Sequence, residues 1–409
     1  MPPPPPLIGI VGKTNVGKST FFEAATLINV KIENRPFVTI EPNIGIGYVR
    51  RRCAHVELGL RKCDPVNSLC IKGYRFIPVK LMDVAGLIKG AHKGRGLGNK
   101  FMDSLRQADV LLLIVDMSGS TNEEGLPVRP GTYDPIEEVR SIEFEIDEWF
   151  YGVISKDWVR LARSLDVLPP DKAVDLLARR VSGLSIKREH VVMALRDTKL
   201  EHVKFSSWSI EELKLFTKRL RSISKPIVIT ANKMDIPEAQ DNLRKALKEL
   251  KGRTIVPVSA MYELALRRAS KSGLIDYIPG DADFTVAKPQ ALNRRQLDAL
   301  ERVRDFMRRY GGTGVQQALN TAVFNVLKMI TVYPVEDPHK LTDHAGHVLP
   351  DAYLVREGVT AIELASMIHT DLAKGFLYAI LAKSGKKVGA SHALRDGDIV
   401  KIVSATARH

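Results

Sequence analysis

The stretch "GKTNVGKST", Gly12 to Thr20, decides the fold because it matches the phosphate-binding pattern G-x-x-x-x-G-K-[ST]. The apolar run "LIGIV" (Leu7–Val11) precedes it, and "STFFEAATL", which has a helical composition, begins within it. The pattern requires a strand, a glycine-rich loop and a helix in this order, because loop amides and a helix N-terminus together bind phosphate. The sequence therefore predicts a P-loop nucleotide-binding fold.

Similar apolar runs continue along the first 280 residues, with helical patterns between several of them. The predicted strands are 76–84, 109–116, 226–232 and 254–260. Near-continuous apolar strands that alternate with helices are typical of a mostly parallel sheet with helices on both faces. We therefore predict a doubly wound α/β fold.

The chain has 409 residues, more than one ordinary domain needs. We predict a P-loop domain in two segments, 1–116 and 226–280, and a helical domain inserted at 117–225, where apolar residues recur at spacings of three and four. Alternatively, these helices pack on the parent sheet. A helical connector at 281–331 and a compact mixed module at 332–409 complete the predicted organisation.

The phosphate loop, Gly12 to Ser19, assigns roles to its residues. Lys18 is expected to bridge the β- and γ-phosphates, and the Ser19 hydroxyl to bind Mg²⁺. Backbone amides are expected to surround the phosphates. The predicted nucleotide contacts in this region are Gly12, Asn15, Val16, Gly17, Lys18, Ser19 and Thr20.

Two further segments concern the metal ion and the γ-phosphate. "DVAG" ends a predicted strand, so Asp83 can hold the Mg²⁺ shell and the Gly86 amide can reach the γ-phosphate. Between this segment and the phosphate loop, Thr39 is the candidate hydroxyl that binds Mg²⁺ when the γ-phosphate is present. The alternative is that Thr39 is an ordinary strand threonine.

Base recognition is assigned to "NKMD" (Asn232, Lys233 and Asp235) and to "SA" (Ser259 and Ala260). The Asp235 carboxylate can accept from the ring N–H and the amine of guanine, whereas adenine presents an acceptor there. The Ala260 N–H could reach the guanine carbonyl. Together with the phosphate loop and "DVAG", these motifs predict a GTPase and disfavour a metabolic P-loop kinase.

The motifs "GKTNVGKSTFF", "NRPFVTIEPNIG", "DVAGLIKGAHKGRGLGNKF" and "NKMD" resemble those of the Obg superfamily of GTPases, in particular the archaeal YchF type. The tail "GVTAIELASMIHTDLAKGFLYAI" with "LRDGDIVKIVSA" resembles a TGS module, a small β-grasp fold. The resemblance covers nearly the whole chain and implies nucleotide hydrolysis and association with the ribosome or RNA. Many relatives prefer ATP through a changed base motif, but Lys233 and Asp235 favour GTP here.

The sequence lacks the usual residue for water activation, because Leu87 lies where many switches have the glutamine that orients the attacking water. The resemblance implies that an apolar residue is normal there, so we expect slow hydrolysis without a partner. His92 could supply the missing group, or it could simply face solvent. Asn15 could recruit a potassium ion near the γ-phosphate, or it could cap its own loop.

Charge indicates a polyanionic partner. The formal net charge is +14, and residues 31–106 contain 15 Lys and Arg against 6 Asp and Glu, whereas residues 332–409 contain nine of each. A basic front half suggests RNA or the ribosome, although it could also be a solvated surface. An RNA- or ribosome-binding adaptor with a mainly structural nucleotide is therefore a second candidate function. No apolar run is long enough to span a bilayer, so we predict a cytoplasmic protein without membrane contact, and we expect a monomer.

The three cysteines are too few and too uneven for a disulfide scaffold. Cys53, His55, Cys63 and Cys70 are acceptable zinc ligands, but the intervening one, seven and six residues match no compact zinc knuckle. On spacing alone we favour free or buried thiols.

Overall fold

A computed structural model describes residues 3–27, 44–84 and 104–405. Its largest sheet has seven strands in the order β2-β4-β1-β5-β6-β7, with β3 paired to β4. Strands β1, β4, β5, β6 and β7 are parallel, and β2 and β3 run antiparallel to β4. The strands are β1 Leu7–Val11, β2 Ile44–Arg52, β3 Leu69–Ile71, β4 Tyr74–Asp83, β5 Val110–Asp116, β6 Ile227–Asn232 and β7 Ile255–Pro257. The predicted mostly parallel sheet is confirmed.

Strand β5 shows why the parallel strands of this sheet have unbroken apolar sequences. Leu111 and Leu113 belong to one hydrophobic core, and Leu112 and Ile114 belong to another. Because successive side chains of a strand point to opposite faces, both faces of the sheet are buried. Helices α1 Lys18–Thr26, α2 Ala54–Glu57, α8 Ala239–Glu249 and α9 Ala260–Lys271 accompany this sheet.

Five helices lie between β5 and β6: α3 Pro135–Ser155, α4 Trp158–Asp166, α5 Pro170–Val181, α6 Arg188–Asp197 and α7 Ile210–Ser224. Asp134 caps the N-terminus of helix α3, because its side chain accepts a hydrogen bond from the Ile136 amide at 2.9 Å. Its apolar stripe, including Ile142 and Ile146, shares one core with Leu111 and Leu113 of the sheet. Helix α3 thus packs against the sheet, and the inserted helical domain at 117–225 stays a prediction.

The C-terminal part contains a five-stranded mixed sheet in the order β11-β10-β14-β12-β13. Only β10 and β14 pair in parallel among these strands. Part of it packs against the first sheet, because Tyr333 and Ile399 cluster with Ile8 and Val49. Other buried side chains, such as Val332 and Val355, form a separate core. The strands are β10 Met329–Pro334, β11 Tyr353–Arg356, β12 Phe376–Leu381, β13 Lys386–Val388 and β14 Ile399–Ser404.

The remaining strands and α-helices of the described residues are β8 Ile275–Asp276, β9 Thr285–Val286, α10 Arg294–Tyr310, α11 Val315–Asn320, α12 Ala361–Ile368 and α13 Thr370–Lys374. Within residues 3–27, 44–84 and 104–405, no helix is both long and apolar enough to cross a membrane.

Candidate nucleotide-binding site

The phosphate loop connects β1 to α1 and depends on two glycines. Gly12 has φ +148°, and a Cβ there would lie 2.4 Å from the Ile114 carbonyl oxygen. Gly17 has φ +97°, and a Cβ there would lie 2.4 Å from Asn232 Nδ2. Both positions therefore require glycine for conformation and for space. The backbone cradle that the motif predicts is present.

Lys18 and Asp83 lie at the phosphate end of this cradle. Lys18 begins α1, and its ammonium donates to the Lys13 carbonyl oxygen at 2.6 Å. Burial lowers the pKa of Lys18, and the attraction of Asp83 and Glu138 opposes that effect. Burial likewise raises the pKa of Asp83 against the attraction of Lys18. The Lys18 ammonium, at the start of α1, and the Asp83 carboxylate, at the end of β4, thus attract each other where the motifs predict phosphate and Mg²⁺ contacts.

The base motif joins three parts of the site. Asn232 donates through Nδ2 to the Val16 carbonyl oxygen at 2.8 Å and accepts through Oδ1 from the Ala260 amide at 3.1 Å. Ser259 donates its hydroxyl to Asp235 Oδ1 at 2.6 Å. Asn232 thus connects the phosphate loop to the Ala260 amide, whose contact with the guanine carbonyl stays a prediction.

Lys233 makes a contact that sequence reasoning missed. Its ammonium lies 2.9 Å from Asp116 Oδ2 and donates to Ser120 Oγ at 3.1 Å. Burial would raise the pKa of Asp116, but the Ser118 hydroxyl and the Lys233 ammonium hold it below its ordinary value. A signal was available, because Asp116 ends a parallel strand at the edge where α/β sheets bind ligands.

A buried brace, which we define as Lys13, Thr121, Tyr133 and Glu138, joins the phosphate loop to the helical segment. Lys13 Nζ lies 2.8 Å from Glu138 Oε2, donates to the Thr121 carbonyl oxygen at 2.8 Å, and lies 4.0 Å from the centre of the Tyr133 ring. Burial raises the pKa of Glu138 to about 7, and Lys13 only partly opposes this effect. No sequence motif indicated the brace, because Thr121, Tyr133 and Glu138 are about 108 residues or more from Lys13 in the sequence.

Asn15 has a partner that neither predicted alternative included. Its Nδ2 donates to the Gly125 carbonyl oxygen at 2.9 Å, so it does not cap its own loop through that atom. Gly125 has φ +79°, and a Cβ there would lie 2.9 Å from Thr14. The segment that follows β5 therefore packs closely on the phosphate loop.

The remaining predicted site residues divide into two groups. Ser19 is exposed and Thr20 is half-buried in the first turn of α1, next to Lys18. Thr39, Gly86, Leu87 and His92 lie outside the described residues, so their roles remain predictions.

The cradle, the neighbouring charges of Lys18 and Asp83, and the base motif define a P-loop nucleotide-binding domain of the GTPase class. Residues 7–149 match the family model of the 50S ribosome-binding GTPases, and residues 230–337 match that of the G4 motif-containing domain of Obg-like, YGR210-like GTPases. Residues 345–404 match the TGS domain, which confirms the predicted β-grasp module. The chain belongs to the YchF and Obg-like family of GTP-binding proteins.

Full-length relatives support this assignment. A GTP-binding protein of Methanocaldococcus jannaschii is 48% identical over 98% of this chain and 99% of its own length. The Bacillus subtilis ribosome-binding ATPase YchF is 24% identical, over 96% of this chain and 97% of its own. The crystal structure of a GTP-binding protein from Pyrococcus horikoshii aligns with a TM-score of 0.76 at 37% identity and covers 97% of this chain and 99% of that one.

Proposed function

We propose that this protein is a GTP-hydrolysing molecular switch that acts on the ribosome or RNA. The observation that supports GTP most directly is the position of Asp235, whose carboxylate is held by Ser259. Asn232 links the same motif to the phosphate loop. A fixed carboxylate acceptor beside a phosphate cradle is suited to the two donors of guanine.

The residues present fit a magnesium-bound nucleoside triphosphate. Lys18 would bind the β- and γ-phosphates, and Ser19 and Asp83 would hold Mg²⁺ directly or through water. The metal ion would neutralise charge on the phosphates. Thr39 and Gly86 are proposed to complete the contacts that depend on the γ-phosphate.

Slow hydrolysis without a partner follows from Leu87, because an apolar side chain cannot orient water. Asn15 is the proposed ligand of a potassium ion, which would add positive charge near the γ-phosphate. Its Nδ2 is already bonded to Gly125, so its side-chain oxygen is the atom suited to a cation. His92, or a group supplied by the ribosome, is the alternative activator.

An ATP-preferring hydrolase is the second candidate, since relatives of this chain include proteins named as ATPases. The test is the variant Asp235→Asn, with affinities for GTP, ATP and xanthosine triphosphate measured by calorimetry. Two hydrogen bonds to a charged group are worth about 3–6 kcal/mol, so GTP affinity should fall roughly 10²- to 10⁴-fold while xanthine nucleotide binding improves.

The control is Ser259→Ala, which keeps the carboxylate but removes its hydroxyl partner and should weaken GTP binding far less than Asp235→Asn. Unchanged GTP affinity in Asp235→Asn would contradict the assignment of the base contact. Tighter binding of ATP than of GTP by the unmodified protein would favour the ATP-preferring alternative.

Ribosome or RNA contact is proposed from the basic front half and from the relatives named as ribosome-binding. Part of that charge is used internally, because Arg50 pairs with Asp281 and Arg51 with Asp396. Arg52 and Arg61 are exposed. We further propose that the protein acts in the cytoplasm as a monomer.

Single-turnover GTP hydrolysis with and without ribosomes separates a switch from an adaptor with a structural nucleotide. A switch should hydrolyse faster with ribosomes and cosediment with them more in one nucleotide state than in the other. Equal hydrolysis and equal cosedimentation in all states would favour the adaptor.

A further inference from the structure

All three cysteines of the chain converge on one point, together with one histidine. One ligand atom from each of Cys53, His55, Cys63 and Cys70 lies within 4.8 Å of every other. We call these four residues the Cys₃His cluster. In the sequence they lie between the phosphate loop and "DVAG" and belong to neither motif. The long spacings that disfavoured zinc in the sequence do not prevent this convergence.

The local fold explains the convergence. Cys53 directly follows β2, His55 lies in the short helix α2, and Cys70 lies in β3. The hairpin between β3 and β4 returns the chain to the end of β2, where the Cys53 amide donates to the Gly73 carbonyl oxygen at 2.9 Å. Cys63 reaches the cluster from the loop that connects α2 to β3.

The separations match tetrahedral coordination. Cys53 Sγ and Cys63 Sγ are 3.7 Å apart, and His55 Nδ1 lies 3.3 Å from Cys63 Sγ and 3.7 Å from Cys70 Sγ. Zinc–sulfur bonds of about 2.3 Å and zinc–nitrogen bonds of about 2.0–2.1 Å place sulfur atoms about 3.8 Å apart and sulfur and nitrogen about 3.6 Å apart. A disulfide would instead require about 2.05 Å between two sulfurs.

The environment is closed, as structural zinc sites are. Cys53 is fully buried, His55 is 8% exposed, and Cys63 and Cys70 are half-buried. Four ligands of the types that zinc prefers leave no coordination position for water or substrate. The cluster is therefore suited to a structural rather than a catalytic ion.

A buried arginine supplies independent evidence for a negative centre here. Arg75 is fully buried and stands opposite Cys70 in the β3–β4 ladder, so the two side chains lie on the same face. It donates to Ser68 Oγ at 2.9 Å and to the Leu349 carbonyl oxygen at 2.8 Å, both neutral groups. Among the residues that the structure describes, Asp351 attracts Arg75 without forming an ion pair with it, and the Arg75 Nε has no hydrogen-bond partner.

A buried, unpaired charge is costly, so a compensating negative charge near Arg75 is expected. Zn²⁺ bound by three thiolates and one neutral imidazole has a net charge of −1, which would balance the guanidinium. Asp351 also attracts Arg75, but it does not form an ion pair with it among the described residues, so three neutral thiols would compensate the guanidinium less than a zinc centre would. A zinc centre of this charge beside Arg75 therefore agrees with the position of the buried guanidinium.

We propose that Cys53, His55, Cys63 and Cys70 bind one structural zinc ion that holds the C-terminal domain against the nucleotide-binding domain. The loop between α2 and β3 forms several of the contacts between these domains. The Asp64 amide donates to the Val348 carbonyl oxygen at 2.8 Å, and the Val66 amide donates to that of Pro350 at 2.7 Å. Two ligands, Cys63 and Cys70, flank these residues, so the metal would fix the loop.

Metal content is the primary test. Tag-free protein, purified without added metal and dialysed, should contain about one zinc ion per chain by elemental analysis. Cys53→Ser, Cys63→Ser and Cys70→Ser should each lose most of the zinc, whereas His55→Cys should retain it because a fourth thiolate is an equally good ligand. The matched control is His202→Ala, which removes a histidine whose side chain is 91% exposed and should leave the zinc unchanged.

Two measurements on the unmodified protein keep the proposal testable if the serine variants fail to fold. Cobalt exchanged into the site should show thiolate charge-transfer and tetrahedral d–d absorption bands. Removal of zinc by a chelator should accelerate hydrogen exchange at the Asp64 and Val66 amides, while GTP affinity changes little.

Less than about a tenth of an equivalent of zinc, both as purified and after reconstitution, would overturn the proposal. Full zinc content in Cys70→Ser, or octahedral cobalt bands without thiolate absorption, would overturn it as well. Iron at full occupancy in place of zinc would overturn the identity of the metal. Unchanged amide exchange after chelation would overturn its role between the domains.

Discussion

Replacement of Glu138 by glutamine should change how stability depends on pH. Glu138 is 2% exposed, and burial raises its pKa from 4.5 to about 7. Between these pH values the folded protein binds a proton that the unfolded chain has lost, so the free energy of unfolding falls as pH rises. The stabilising contribution is complete below pH 4.5 and is lost as pH rises through about 7.

The shift of roughly 2.5 pH units corresponds to about 3 kcal/mol, at 1.36 kcal/mol per unit. The difference in unfolding free energy between the unmodified protein and Glu138→Gln should therefore decline by about that amount from pH 4.5 to 7 and then level off. Glutamine has no proton to lose in this range. Above pH 7 the variant also lacks the carboxylate that pairs with Lys13.

The assay is urea unfolding at several pH values, followed by tryptophan fluorescence. All three tryptophans, Trp149, Trp158 and Trp208, lie in the helical segment that contains Glu138, so the signal reports on the relevant unit. The matched control is Glu137→Gln, the exposed neighbour on the same helix. Parallel stability curves for Glu138→Gln and the unmodified protein would refute the reasoning, as would an equal effect in Glu137→Gln.

Three further predictions concern the nucleotide and its partner. Gly17→Ala should abolish nucleotide binding because its Cβ would lie 2.4 Å from Asn232 Nδ2. Gly252→Ala has similar backbone strain but no neighbour within 4 Å, so it should bind nucleotide normally, and normal binding by Gly17→Ala would contradict the assigned role of the phosphate loop. GTP hydrolysis should be faster in potassium than in sodium at equal ionic strength, and Asn15→Ala should erase that difference without preventing GTP binding; equal rates in the two salts would remove the ion from the mechanism. Replacing Arg52 and Arg61 with glutamate should weaken ribosome or RNA binding and reduce the dependence of log affinity on log salt concentration by about two. Lys386→Glu in the neutral C-terminal domain should weaken binding less, and a larger effect of Lys386→Glu would contradict the charge argument.

The sequence predicted most of the sheet because its motifs are local. The glycine-rich loop, "DVAG" and "NKMD" each follow an apolar run, and all three runs are strands in the structure. The last strand was predicted too long, at 254–260 rather than Ile255–Pro257. Ser259 caps helix α9 by accepting from the Tyr262 amide at 3.2 Å, so the chain turns into a helix at Ala260.

Contacts between distant segments were beyond sequence reasoning. Glu138 lies on a helix whose apolar stripe is obvious, but nothing in the spacing shows that this glutamate meets Lys13. Spacing disfavoured zinc at Cys53, His55, Cys63 and Cys70 for a related reason, although all four were named as acceptable ligands. The number of intervening residues measures only the separation along the chain. The distances between the ligand atoms are set by the β3–β4 hairpin, which returns the chain to the end of β2.

The pairing of β5 with β6 bears on how much the length of the helical segment between them can vary. The two strands pair directly, although the residues between them, 117–226, amount to about 110. The entropy cost of closing a loop rises by only about 0.6 kcal/mol for each doubling of its length, so this segment costs roughly 2 kcal/mol more to close than a crossover of about 14 residues. Changes in length at its outer helices should therefore be inexpensive. The portion near 121–138 is different, because insertions there would displace the side chains that contact Lys13.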